Sequence, residues 1–188
     1  LTGRMEWLVE ALLKMAQLDA GTVVFHPQDT TAAELVRRAA EPLEVPMEVR
    51  SIRFTAQAGE ERLTCDVPWS TEALGNILKN CMEHTPAGGC VSVRVTEDIL
   101  ACRIRIEDTG PGIAESDLPH IFERFYRGSR DANAASSEVN PAGVGIGLAL
   151  SKSLVTAQGG TLTAENLRDE NGNVTGAAFN LVFFKAVV

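Results

Sequence analysis

The chain has 188 residues, 45% of them hydrophobic and 22% charged, which is enough apolar material for one complete core with room for a small appendage. A net charge of −8 argues against generic DNA or RNA binding, which depends on Lys and Arg neutralising phosphates; one nucleotide held by a few local donors stays open. The four cysteines, Cys65, Cys81, Cys90 and Cys102, form no CxxC pair and have no His at second-ligand spacing, so they read as buried free thiols of a reducing compartment.

Leu1, Met5, Leu8, Leu12 and Met15 recur at alternating spacings of four and three, the apolar seam of a helix that packs on another helix, and Gly21 fits its C-cap. An ordinary core helix would carry the same pattern. No stretch is long and apolar enough to span a bilayer, and the first residues lack the order of a signal peptide. After a linker around Pro27, residues 31–44 are predicted helical, with Leu35, Val36, Ala39 and Leu43 on one face and Pro46 closing the helix. Short strands are predicted at 48–55 and 61–66, separated by the turn signal Ala58–Gly59.

Helical periodicity returns over 69–84 through Leu74, Ile77, Leu78 and Cys81, followed by two alternating runs at 91–97 and 101–108 that predict an antiparallel strand pair with one wet face. From 109 to 147 the composition shifts to Gly, Pro, Ser, Asn and Asp, as in functional loops carried by a scaffold. A helix over 145–158 and two strands, GGTLTAEN and AAFNLVFF around the turn ENGNVTG, complete the chain. Paired strands alternating with helices predict an α/β sandwich: a mixed, largely antiparallel sheet with helices on one face.

Three motifs carry chemistry. DTGPGI, from Asp108 to Ile113, places a carboxylate at a strand end before two glycines. That supplies an acceptor for an exocyclic amine and a backbone wall close enough for a flat ring such as adenine, although a capped tight turn has the same residues. GVGIGL, from Gly143 to Leu148, opens a helix and exposes backbone N–H groups to a phosphate; the long polar loop before it disfavours a Rossmann fingerprint. Asn76 and Asn80, four apart on one helix face, are either solvated asparagines or neutral amide ligands for a hydrated magnesium ion whose anions come from a triphosphate.

The order NILKN, DTGPGI, IFERFYRG and GVGIGL resembles the N, G1, F and G2 boxes of sensor histidine kinases, in the wider fold (Bergerat type) shared with gyrase, Hsp90 and MutL. RMEWLVEALLKMAQLDAG resembles the second helix of that family's dimerisation hairpin. The resemblance implies a partial dimerisation helix at 1–22, a linker at 23–30 and an ATP-binding catalytic domain at 31–188. It implies that Asn80 coordinates Mg2+, that Asn76 sits beside the phosphates, and that Asp108 binds the adenine amine with Gly110, Gly112 and Ile113 shaping the wall. Gly143, Gly145 and Gly147 would anchor a lid of roughly 128–142 over the triphosphate, with Leu148 also binding ATP. Of the F-box residues, Phe122 and Phe125 would be packing, while Arg124 and Arg127 would either touch phosphate or be solvated. His84 falls near the nucleotide.

Several residues depart from the family's pattern. Glu83 stands where the family often has Lys, Ala177 replaces the usual Thr of a G3-like GAAF, and Pro141–Ala142 replace a Gly-rich entry to the second glycine loop. None of His26, His84 and His120 lies in a His-Glu phosphoacceptor pattern. The expected activity is therefore γ-phosphoryl transfer from Mg-ATP to a histidine outside this sequence, on a homodimeric, membrane-anchored parent, with relay to a response regulator; the domain itself would be cytoplasmic. One alternative is an ATPase or serine kinase of the same fold, with Glu72, four residues before Asn76, as general base. Another is a nucleotide-sensing scaffold without catalysis.

Overall fold

The computed structural model describes residues 2–128 and 145–186; Gly143, Pro141, Ala142 and nearly all of the predicted lid lie outside the described residues. A long helix, α1 (Thr2–Asp19), leads into β1 (Pro27–Thr31), α2 (Ala32–Ala40), a 3-10 turn (Glu41–Leu43) and α3 (Glu44–Val49). Then follow β2 (Arg53–Gln57), β3 (Arg62–Asp66), α4 (Val67–His84), β4 (Cys90–Glu97) and β5 (Ala101–Asp108). The chain finishes with a 3-10 turn (Leu118–His120), α5 (Gly147–Ala157), β6 (Thr161–Arg168) and β7 (Val174–Phe184).

Five strands form one sheet in the order β2-β4-β5-β7-β6, parallel only between β2 and β4. This is the predicted mixed, largely antiparallel sheet. Alternation decides its faces. Val91, Val93 and Val95 of β4 and Cys102, Ile104 and Ile106 of β5 are buried under α4 and α5, while Arg94, Arg103 and Arg105 project from the other face. On that wet face Arg105 bonds Glu107, Glu165 and Asn180, so the charges are laced across strands rather than buried.

Three local expectations change. The predicted linker contains β1, which pairs antiparallel with β3, so Pro27–Thr31 is part of the folded body; its polar sequence, PQDTT, carries no strand periodicity. Pro46 does not end a helix. It sits in the first turn of α3, where its missing N–H costs nothing, and the strand after it starts only at Arg53. β2 and β3, though separated by a turn signal, join different sheets, because β3 is captured by β1.

Helix α1 carries the largest correction. Its predicted seam is split: Met15 is 3% exposed, but Met5 is 69% and Leu12 41% exposed. The face that packs is Ala11 and Met15 with Trp7, Leu8 and Leu18, rotated from the heptad stripe because it meets helix α5 and the body of the domain rather than the partner of a coiled-coil seam. Lys14 bonds Glu72 at 2.7 Å, Lys14 also lies over the Trp69 ring, and Asp19 receives both guanidinium arms of Arg124 at 2.7 and 2.5 Å. Met5, Val9, Leu12 and Leu13 form an outer apolar stripe.

Candidate functional site

Helix α4 starts with Asp66 capping the Trp69 N–H at 3.0 Å and Pro68 in its first turn. Leu74, Ile77, Leu78 and Cys81 enter the core, which turns Asn76, Asn80 and His84 outward along one line at i, i+4 spacing. All three line a cavity between α4, the segment after β5 and the start of α5.

Asp108 closes the inner end. It is 4% exposed at the tip of β5, and its Oδ1 accepts the N–H of Gly110 at 2.9 Å and of Ala177 at 3.2 Å. The Cys81 thiol lies against it, and burial, then the Asp108 carboxylate, push that thiol well above its ordinary range. Two glycines are required here. A Cβ on Gly110 would lie 2.6 Å from the His84 carbonyl oxygen, and Gly112, with φ +75°, would drive one to 2.3 Å from Val174 and 2.8 Å from Asn166. The loop is pinned by the Asn166 side chain, whose Oδ1 accepts the Ile113 N–H and whose Nδ2 donates to the Ile113 carbonyl, both at 2.7 Å.

The outer end is built by α5 and the F-box segment. Gly147 and Leu148 open α5 after Ile146, which makes no side-chain cap, so among the described residues no cap occupies the first N–H groups of this helix, which can receive an anion. Gly145, with φ +74°, does not line the cavity; it lets the segment pass under Tyr126, whose carbonyl oxygen would be 2.5 Å from a Cβ, and its own carbonyl accepts the Phe125 N–H at 3.0 Å. Tyr126 lines the cavity with its hydroxyl donating to Asp117 at 2.6 Å, a bond that raises the phenol's pKa.

The fold therefore brings Asn76, Asn80, His84, Asp108, Gly112, Ile113, Gly147 and Leu148 to one cavity. Gly110 sits behind its wall. Arg124 and Arg127 do not line it; Arg124 is held by Asp19, and Arg127 is exposed. Glu72 is also outside the lining, tied to Lys14. Residues missed by sequence reasoning complete the site: Trp7, Lys79, Tyr126 and Phe179 in the lining and Asn166 behind the loop. A helical wheel finds Lys79, three residues from Asn76; no local pattern finds Trp7 or Asn166.

The cavity fits an adenine nucleotide chemically. Asn76 Nδ2 is buried without a hydrogen-bond partner among the described residues, a donor in need of an acceptor. The glycine cradle over Asp108 suits a flat ring, and the α5 N-terminus, which no described side chain caps, suits a phosphate. Asn80 contributes a neutral amide oxygen, which can ligate a magnesium ion whose other ligands are phosphate and water.

Residues 65–185 match the family described as histidine kinase-, DNA gyrase B-, and HSP90-like ATPase. The chain is 35% identical over 176 residues to the sensor protein SphS of Synechococcus elongatus, covering 88% of this chain and 41% of SphS. It is 33% identical over 173 residues to the signal transduction histidine-protein kinase/phosphatase MprB of Mycobacterium sp. strain KMS, covering 92% of this chain and 31% of that protein. It thus spans less than half the length of these curated relatives. Among solved structures, the mycobacterial sensor histidine kinase MprB superposes with a TM-score of 0.67 at 27% identity, covering 85% of this chain and 97% of that one. Full-length ShkA in complex with AMPPNP gives 0.78 at 24% identity, covering 100% and 37%, a likeness of fold.

Proposed function

The chain belongs to the histidine kinase-, DNA gyrase B-, and HSP90-like ATPase family, and from that premise we propose that it is the ATP-binding kinase part of a two-component sensor histidine kinase. In this reading it transfers the γ-phosphoryl group of ATP to a histidine outside the sequence, for relay to a response regulator. The observation that carries the reading is the convergence on one cavity of Asp108, the glycine loop, the Asn76–Asn80 face and the open α5 terminus. Support for the sensor-kinase branch comes from SphS and MprB. A solved structure of the histidine kinase ThkA in complex with the response regulator TrrA shares the fold, with a TM-score of 0.73 at 20% identity.

The residues divide the work by chemistry. Asp108, its Oδ1 fixed by two backbone bonds, offers Oδ2 to the adenine amine. Asn76 and the first N–H groups of α5 donate to phosphate oxygens, and Asn80 holds Mg2+, which when bound neutralises charge on the phosphates. The protein's own contribution is positioning and electrostatic preorganisation, without a covalent step on its side chains. Domain assignment follows: α1 as part of a dimerisation hairpin, with its outer stripe of Met5, Val9, Leu12 and Leu13 facing the rest of a helical bundle in a homodimeric parent, and the remainder as the catalytic domain. Among the described residues no helix is long and apolar enough to cross a membrane; we place this part in the cytoplasm, where ATP is found, and the anchor of the parent elsewhere in its chain. The ATPase alternative is not favoured, because Glu72 lies outside the cavity and is paired with Lys14.

Titrating ATP with and without Mg2+ tests the reading. Saturable, magnesium-dependent binding is expected, weakened about 10- to 100-fold in Asp108→Asn by loss of a charged acceptor in a buried site. Binding that ignores both Mg2+ and the substitution would refute it.

A further inference from the structure

Glu83 leaves the cavity without the lysine that the resemblance expects one residue before His84. One helical turn earlier on the same face, at i−4, stands Lys79, and it lines the cavity together with Asn76 and Asn80. It is the only Lys or Arg among the described lining residues.

The chain's four lysines are not equivalent. Lys14 is paired with Glu72, Lys185 with Glu97, and Lys152 donates to the Leu162 carbonyl at 2.7 Å. Lys79 has no oxygen partner among the described residues. Its ammonium instead lies 5.9 Å from the centroid of the Trp7 ring, which comes from α1 and lines the same cavity. An aromatic face at a half-exposed site attracts an ammonium by about two- to five-fold in equilibrium terms, whereas a charge-assisted bond to phosphate is worth about 10- to 100-fold. A phosphate within reach of this lysine therefore outcompetes the ring.

Resting on the ATP reading above, we propose that Lys79 is the cation that binds the nucleotide's phosphate chain, and that Trp7 of the docked helix α1 holds it until the phosphates take it. Nucleotide arrival and the seating of α1 are then coupled through one ammonium group. This makes the α1 contact nucleotide-sensitive at Trp7, while the Lys14–Glu72 and Asp19–Arg124 pairs, away from the cavity lining, stay indifferent to the ligand.

The test compares affinities for AMP, ADP and ATP, each with Mg2+, in the unaltered chain, Lys79→Gln, Lys79→Arg and Trp7→Leu. Lys79→Gln is expected to weaken ATP about ten-fold and AMP less than two-fold, Lys79→Arg to restore ATP, and Trp7→Leu to tighten ATP about two- to five-fold. In a Trp69→Phe background, where Trp7 is the only tryptophan, ATP should shift its emission and Lys79→Gln should abolish the shift. An equal loss for AMP and ATP in Lys79→Gln, or Trp7 emission unmoved by bound ATP, would overturn the proposal alone. Failure of every adenine nucleotide to bind the unaltered chain would remove the function reading and this proposal with it.

Discussion

Replacing Gly176 by alanine asks how closely β7 must approach the end of β5 to build the wall of the cavity at Asp108. A Cβ at Gly176 would lie 1.9 Å from the Asp108 carbonyl oxygen and 2.9 Å from its carbonyl carbon. An ordinary carbon–oxygen contact is about 3.3–3.6 Å, so the strands must part by roughly 1.4–1.7 Å. The obstacle is backbone, and no rotamer change relieves it. Overpacking of this kind costs about 1–3 kcal/mol. Separation also stretches the 3.2 Å bond from the Ala177 N–H to the buried Asp108 carboxylate, worth about 1.5–3 kcal/mol. Against this, alanine lowers the entropy of the unfolded chain by about 0.5–1 kcal/mol. The net expectation is a loss of about 2–4 kcal/mol, or roughly 5–15 °C in Tm for a domain of this size. Urea and thermal unfolding followed by circular dichroism measure it, and a nucleotide titration should show weakened ATP binding. Gly147→Ala is the matched control, since among the described residues nothing lies within 4 Å of its Cβ and it opens a helix: its stability should be unchanged or higher. If Gly176→Ala unfolds within about 0.5 kcal/mol of the parent, the close approach of β7 to Asp108 is not what holds this wall.

Two further outcomes follow from the same geometry. Asn166→Ala should cost about 2 kcal/mol and weaken ATP binding, because it strips both partners from the Ile113 backbone; unchanged hydrogen exchange at Ile113 would contradict this. Burial pushes the Cys102 thiol up to about 11 from an ordinary 9.0, and Cys81 is raised as well. A raised folded-state value means that the Cys102 contribution is complete below pH 9 and is lost as pH rises toward about 11, and Cys81 acts in the same direction. Urea stability should fall across that window by on the order of 1–2 kcal/mol, less steeply in Cys102→Ala, and an identical slope in the variant would count against the burial argument.

Much of the site was legible because its chemistry demands particular residues at local spacings. Asn76 and Asn80 share a face by helical periodicity alone, and Asp108 at a strand end before two glycines is a pattern within six residues. The core followed equally, since Val91, Val93 and Val95 alternate as a half-buried strand must. Elements without such a local demand were misjudged. PQDTT became β1 because β3 offered it a free edge, and Pro46 entered the first turn of α3 because an orphan N–H position was available there.

What the sequence determined, then, is what a period of two or of 3.6 and a short motif can encode: the periodic strands and helices, the amides that share one face of α4 and the carboxylate at the end of β5. Tertiary structure alone decided which apolar stripe of α1 would be covered, that Arg124 would serve Asp19 at a separation of 105 residues, and that Asn166 would clasp Ile113 across 53. It also set Trp7 over Lys79 at the cavity. Contacts between residues so far apart depend on how whole elements pack, and no spacing along the chain records the angle at which one helix meets another.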